Sequence, residues 1–174
     1  MDPPRRDPRG HPRPAGPPLS GSEDDRRRRR PENYPLRYEA RALYSDVDAN
    51  RHVNNVAYAR WFEEGRAQLN EQVAGPDALL NPPPGVQFLL VSLRLDYLAQ
   101  VPYPSTVTVA SAVGRISGAS YVIVHALFHQ DRCAALGESV VVRAQDGRPV
   151  RLTEAERAAL APLTLTAAGS APPR

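Results

Sequence analysis

Between Asp46 and Val56, eleven consecutive residues, DVDANRHVNNV, hold two aspartates, three asparagines and a histidine. Side chains of these types compete with the backbone for hydrogen bonds and collect at helix starts, so any one of them suits an N-cap. One helix needs one cap, and this segment offers five Asp or Asn residues together with His52. That surplus points to chemistry. The first turn of a helix presents N–H groups without intrahelical acceptors at the positive end of its dipole, which favours an anion or a carbonyl oxygen gaining charge. A carboxylate, an imidazole and free amides gathered at one helix start can serve acyl transfer, with a nucleophile or general base beside an oxyanion hole.

The elements that must position these groups are legible on either side. From Asn54 the apolar residues Tyr58, Trp61, Phe62, Gly65 and Leu69 recur at i, i+3, i+4, i+7 and i+11. That is one stripe of a helix ending before Gly75–Pro76. Gly65 on the stripe would bring the helix close to whatever packs on it. Glu63 and Arg66 are spaced for an i,i+3 pair off the stripe. Upstream, LRYEARALYSD (36–46) alternates Tyr38, Ala40, Ala42 and Tyr44 with charged residues and predicts a strand. Downstream, after NPPPG (81–85), the stretches 86–99, 105–117, 120–130 and 134–145 predict strands whose short links suit antiparallel neighbours. In 86–99, Leu89, Val91, Leu93, Leu95 and Tyr97 make a wholly apolar face. TEAE (153–156) is a capping box that opens a short last helix. A lone helix with a long apolar stripe needs a large apolar surface, which a curved antiparallel sheet supplies. The expected class is α+β, with no internal repeat and no second domain.

The ends read differently. Residues 1–36 carry nine of the 19 prolines, the run DDRRRRRPE and almost no bulky apolar residue. Such a segment buries too little to offset its ordering entropy, so the expected division is a disordered Pro/Arg-rich tail (1–36), one folded domain (37–162) and a disordered C-terminal tail (163–174). Residues 1–37 hold ten arginines against six acids, and the remaining twelve arginines face thirteen acids. The net charge of +3 therefore belongs to the tail, and the domain shows no basic stripe of the kind a nucleic-acid-binding fold needs. Arg26–Arg30 read as a solvated run. Cys133, the single cysteine, forbids an intrachain disulfide and fits a reducing cytoplasm. No apolar run approaches the ~18 residues of a membrane span, and no apolar segment follows Arg5–Arg6 as a signal peptide requires. His125 and His129 share a strand face, but no Cys or carboxylate stands at matching spacing, so no metal is expected.

The run D-V-D-A-N-R-H-V-N-N-V-A-Y (46–58) closely resembles the helix-start motif of hotdog-fold thioesterases of the 4-hydroxybenzoyl-CoA thioesterase-like group. It also resembles the Asp-x-Asn-x-His-Val-Asn-Asn run of plant acyl-acyl-carrier-protein thioesterases. The resemblance is strong over 41–66, extends in element order to about Thr153, and is absent from 1–36. It implies a hotdog fold, with a curved sheet wrapped around one long central helix. It also implies hydrolysis of an acyl-CoA or acyl-carrier-protein thioester without a cofactor, placing the chain in lipid metabolism, in a homodimer or homotetramer. By position, Asp48 matches the family's carboxylate, acting as nucleophile or general base. Asn55 matches the residue whose backbone N–H polarises the thioester carbonyl, and Asn50 and His52 match an orienting or basic pair. Arg51 departs from the family, many of whose members carry Gly there, and is expected to narrow the site or meet phosphate. Tyr58 and Trp61 are expected in the core or the pocket wall, Asp46 as a structural hydrogen-bonding group, and Asn54 as a cap. The alternative reading is a hotdog protein that binds acyl-CoA as a sensor or scaffold without cleaving it. A dehydratase on the same fold, or an interaction protein acting through the arginine tail, ranks below both.

Overall fold

Gly75, with φ at +96°, and the prolines at 82–84 separate one long helix from everything that follows it. A computed structural model describes residues 23–75 and 81–166. The segments 1–22, 76–80 and 167–174, which include most of the expected tails, lie outside the described residues. In chain order the elements are α1 (Glu23–Arg28), β1 (Leu36–Arg41), α2 (Asn55–Ala74), β2 (Val86–Tyr97), β3 (Thr106–Ile116), β4 (Ser120–His129), β5 (Arg132–Gln145), β6 (Arg148–Pro149) and α3 (Glu154–Leu160). Short 3-10 turns fall at Pro31–Asn33, Tyr44–Asp46 and Ala161–Leu163. No helix among the described residues is long and apolar enough to cross a membrane.

The strands form one curled antiparallel sheet in the order β1-β3-β4-β5-β2, with β6 beside β5 and α2 laid across the inner face. This is the hotdog architecture that the resemblance implied. The stripe predicted from periodicity is the buried face of α2: Tyr58, Trp61, Phe62, Gly65 and Leu69 are all buried there. Each large apolar side chain so buried stabilises the fold by roughly 1.5–3 kcal/mol. α2 is capped by Asn54, whose Oδ1 accepts from the Ala57 N–H at 3.0 Å, and α3 by the Thr153–Glu156 box.

A polar stack sits within this core. The Phe62 ring lies on His125 at 5.0 Å, and both nitrogens of His125 meet hydroxyls, Ser111 Oγ at 2.9 Å and Ser139 Oγ at 3.1 Å. Burial, helped by the charges of Arg66 and Arg28, lowers the His125 pKa to about 3. The ring is therefore neutral and fits its two serine partners with one donor and one acceptor nitrogen. His129 instead meets Ser105 Oγ at 3.2 Å. No group of three or more His, Cys, Asp or Glu among the described residues is placed to hold a metal.

Three expectations need correction. First, β2 and β3 are not neighbours, because β2 pairs with β5 and β3 with β1 and β4. The link 98–105 must cross about three strand spacings, ~14 Å. Eight extended residues can reach ~26 Å, so the crossing is easy, and it carries residues 98–102 past the start of α2. Second, the first strand ends at Arg41, and the chain then turns away from the sheet, leaving Tyr44 81% exposed. Third, residues 23–35 are packed structure. Tyr34 is buried on the outer sheet face with Ala110, Ala112, Phe128 and Leu136, and its hydroxyl donates to the Arg28 carbonyl at 2.7 Å. Arg28 is not solvated: it donates to the Gly137 carbonyl at 2.8 Å and to Glu138 at 3.0 Å. At the other end, Leu165 is buried on the same face and its N–H donates to the Val113 carbonyl at 3.0 Å. Composition underrated both segments because their hold comes from a few specific bonds and one aromatic side chain.

Candidate active site

The polar segment before α2 is a small, well-tied loop. The Asp46 carboxylate is buried; it accepts from the Leu43 N–H at 2.9 Å and from Arg60 at 2.9 and 3.0 Å. The Asp46 carbonyl accepts from the Asn54 N–H at 2.7 Å. Asp46 thus ties the loop to the first turns of α2, the structural role expected of it. Val47 and Val53 then bridge, and residues 48–51 turn between them, with the Asp48 N–H donating to the His52 carbonyl and the Arg51 N–H to the Asp48 carbonyl, each at 3.0 Å. Arg51 takes the left-handed conformation, φ +64°, at the tip. A non-glycine residue is held there at a cost of roughly 1–2 kcal/mol.

The far side of the loop is fixed by the crossing link. The Val53 N–H donates to the Val101 carbonyl at 3.0 Å, and His52 bridges to Pro102. These contacts open a cleft of about 860 Å³ lined by Asp48, Asn50, His52, Asn55, Tyr58, Tyr97, Gln100 and Arg132, with Val53, Leu98 and Ala99 between them. The four residues assigned catalytic roles from sequence are therefore on one wall of one cleft. Asn55 opens α2, so its N–H lacks an intrahelical acceptor. Asn50 turns back on Asp48: its backbone N–H donates to Oδ1 at 2.7 Å and its side-chain amide to Oδ2 at 3.3 Å. Chiefly through that backbone bond, the Asp48 carboxyl is held below the usual carboxylate range and is ionised at neutral pH. His52 is half-buried, and its Nδ1 is buried without a hydrogen-bond partner among the described residues.

Of the residues expected to bind substrate, Tyr58 lines the cleft, its ring edge-on to Tyr97 at 5.2 Å. Burial raises the pKa of both phenols, so both are neutral. Trp61 and Arg51 do not line it. Trp61 is core, behind Tyr58 at 5.8 Å, and Arg51 is an exposed turn tip. Sequence reasoning missed Tyr97, Gln100 and Arg132. In the sequence Tyr97 reads only as the end of an apolar strand face. Gln100 and Arg132 reach the cleft because β2 ends where β5 begins, Tyr97 pairing with Ala135, a neighbour relation that no local pattern encodes.

With the geometry established, comparison with known proteins is direct. The profile of the thioesterase-like superfamily matches residues 43–161. The chain belongs to the thioesterase-like superfamily. Among solved structures, it is similar to the PA5185 protein from Pseudomonas aeruginosa at 30% identity, covering 79% of this chain and 96% of that one with a TM-score of 0.68. It is similar to a predicted thioesterase from Bacillus stearothermophilus at 25% identity, covering 74% and 96% with a TM-score of 0.68. It is also similar to a thioesterase from Thermus thermophilus, solved with coenzyme A and Zn, at 27% identity, covering 73% and 98% with a TM-score of 0.65. No functionally curated protein matches the sequence significantly. Family and neighbours together support thioester hydrolysis as the general activity.

Proposed function

We propose that the protein hydrolyses an acyl thioester of coenzyme A or of an acyl carrier protein, with Asp48 as the reacting carboxylate and the Asn55 N–H as the oxyanion donor. The observation that carries this reading is the shared cleft: Asp48, Asn50, His52 and Asn55 line it together at the start of α2. Along one route the ionised Asp48 attacks the thioester carbon, the thiolate leaves, and water then cleaves the resulting anhydride. Along the other, Asp48 takes a proton from water as that water attacks. Either way, negative charge builds on the carbonyl oxygen, where a first-turn amide and the helix dipole stabilise it. Asn50 orients Asp48 through its two bonds, and the Tyr58 ring forms a wall against the acyl group. Trp61 supports Tyr58 from behind rather than meeting substrate.

Release of free thiol from a panel of acyl-CoA and acyl-carrier-protein substrates tests the assignment. Asp48→Ala and Asp48→Asn are expected to keep the fold and lose at least ~10²-fold in kcat, the lower end of what a positioned general base contributes. Unchanged turnover in either variant would falsify the role of Asp48. Wild-type protein that binds acyl-CoA and releases no thiol would make it a binding protein instead.

A further inference from the structure

The cleft contains one residue that the hydrolytic reading leaves without a task. Arg132 stands at the first position of β5, directly after the tight turn in which Gln130 and Asp131 both take positive φ, 49° and 61°. It lines the main cleft, and it also lines a smaller cavity of about 180 Å³ beside it, together with Ala99, Gln100, His129, Gln130 and Ala134. Ala99, Gln100 and Arg132 are common to both, so the two spaces meet at the arginine.

The charges sharpen the point. Among the residues lining the main cleft, Asp48 is the carboxylate and Arg132 the guanidinium. An anion entering a space that holds Asp48 is repelled unless a cation offsets it. Several arginines elsewhere are held in ion pairs, Arg28 with Glu138, Arg60 with Asp46, Arg66 with Glu63, Arg94 with Asp96 and Arg143 with Glu156; others, such as Arg41, Arg51 and Arg115, have no ion pair among the described residues but line neither of the two cavities. Arg132 has no ion pair among the described residues, even with the adjacent Asp131. Its guanidinium offers a planar fork of donors suited to carboxylate or phosphate. Gln100 beside it adds an amide donor.

We propose that Arg132 and Gln100 form a subsite for an oxyanion carried by the substrate, at the junction of the two cavities. The inference deepens the thioesterase reading and rests on it for the identity of the ligand. A thioester of coenzyme A or of a carrier protein shares one such anion, the phosphate of the pantetheine arm, to which coenzyme A adds the phosphate of its adenosine end, and some acyl groups carry another, a carboxylate. Arg132 acts on affinity and has no part in bond cleavage.

The experiment has two arms. In the first, calorimetry measures binding of coenzyme A, 4′-phosphopantetheine and pantetheine to wild-type protein, Arg132→Ala and Arg132→Lys. In the second, KM and kcat are measured on phosphate-free pantetheine thioesters whose acyl groups are neutral or end in a carboxylate. If phosphate is the anion, Arg132→Ala weakens the two phosphorylated ligands about tenfold and leaves pantetheine unaffected. If the acyl carboxylate is the anion, Arg132→Ala raises KM about tenfold for the acidic thioesters alone, without changing kcat. In both cases Arg132→Lys recovers part of the loss, because charge is kept while the fork is lost. An Arg132→Ala protein indistinguishable from wild type in both arms overturns the subsite, as does an equal loss for ligands with and without an anion. Wild-type protein that cleaves thioesters without any dependence on Arg132 removes the subsite and keeps the hydrolase. Arg132-dependent binding of coenzyme A without any turnover keeps the subsite and removes the hydrolase, and absence of both removes both.

Discussion

Of the five Asp and Asn residues that crowd the segment before α2, two are accounted for by structure alone. Asp46 ties Leu43, Arg60 and Asn54 together, and Asn54 caps the helix. The other three, Asp48, Asn50 and Asn55, line the cleft. The surplus was readable from residue type, because a short helix start uses few caps, whereas the division itself was implied only by the family resemblance. What could not be read was how Asn50 serves Asp48, since that depends on the turn at 48–51 folding the chain back. The consequence is a pH prediction. The bonds from Asn50 favour the charged form of Asp48 and lower its pKa, so the carboxylate persists below the ordinary Asp value of about 3.9. Activity that requires this carboxylate is fully present above that range and is lost only as pH falls through the lowered pKa. Asn50→Ala removes the side-chain bond and leaves the backbone one, so the acid limb of kcat/KM is expected to move up in pH, toward the ordinary value. A pH–rate profile of the two proteins on one thioester checks this. A limb that stays in place or moves down means that the Asn50 side chain does not hold Asp48.

Within α2, the residue that sets its distance from the sheet is Gly65. A Cβ built there would lie 2.5 Å from Ser111 Oγ and 3.7 Å from the Tyr38 ring. Ser111 cannot simply turn aside, because the same oxygen meets His125 Nδ1 at 2.9 Å. Alanine gains about 1 kcal/mol over glycine in helix propensity, whereas forcing an extra carbon into a packed core costs typically ~1–3 kcal/mol. The loss of the serine–imidazole bond adds about 1 kcal/mol or more. Gly65→Ala is therefore expected to destabilise the protein by roughly 1–3 kcal/mol, measured as a lower urea midpoint at an unchanged slope. Adding Ser111→Ala should recover part of that loss by removing the atom in the way, and a Gly65→Ala protein more stable than wild type would show that the helix has room to spare. The close approach was legible because a glycine on an apolar stripe has few other reasons to be there. The polar stack beneath it was not, since Ser111, His125 and Ser139 lie on three strands and nothing in their sequence spacing brings them together. The same limit hid the crossing from β2 to β3. Short links between strands suggest neighbours, and only the pairing of β2 with β5 shows that this one passes over the sheet.

At the scale of the whole molecule, the two faces of the sheet are largely covered among the described residues, and both edge strands, β1 and β2, lack a partner strand there. α2 closes the inner face, while Tyr34, Leu165 and the Arg28 contacts close much of the outer one. β2 is an edge strand of 12 residues. Along it Leu89, Leu90, Val91 and Leu93 remain 37–59% exposed, Val91 the most. The single apolar face predicted for this strand does not form: a bulge between Leu90 and Ser92 shifts the register by one, so Leu89 and Leu93 fall on opposite faces, while Leu95 packs against the core. A long apolar edge strand with free backbone donors and acceptors templates pairing with another chain, and monomeric proteins usually blunt such edges with Lys, Pro or a covering loop. This edge is blunted only by the bulge at Val91 and by Arg94 and Asp96, which pair with each other. The expected assembly is therefore a two-fold dimer in which β2 meets β2, a self-complementary contact that continues the sheet across both copies. Sedimentation should report about twice the 19.1 kDa of one chain. Val91→Lys places a charge at the bulge of the joining edge; because β2 pairs with β5 on both sides of that bulge, over Val86–Leu90 and Ser92–Tyr97, the strand should stay in place. The variant is expected to sediment as a monomer with an unchanged circular dichroism spectrum. Tyr97, on the same strand, lines the cleft, so loss of the dimer should also raise KM while leaving a folded chain. A wild-type protein that remains monomeric at micromolar concentration, or a Val91→Lys protein that still forms the dimer, places the contact elsewhere.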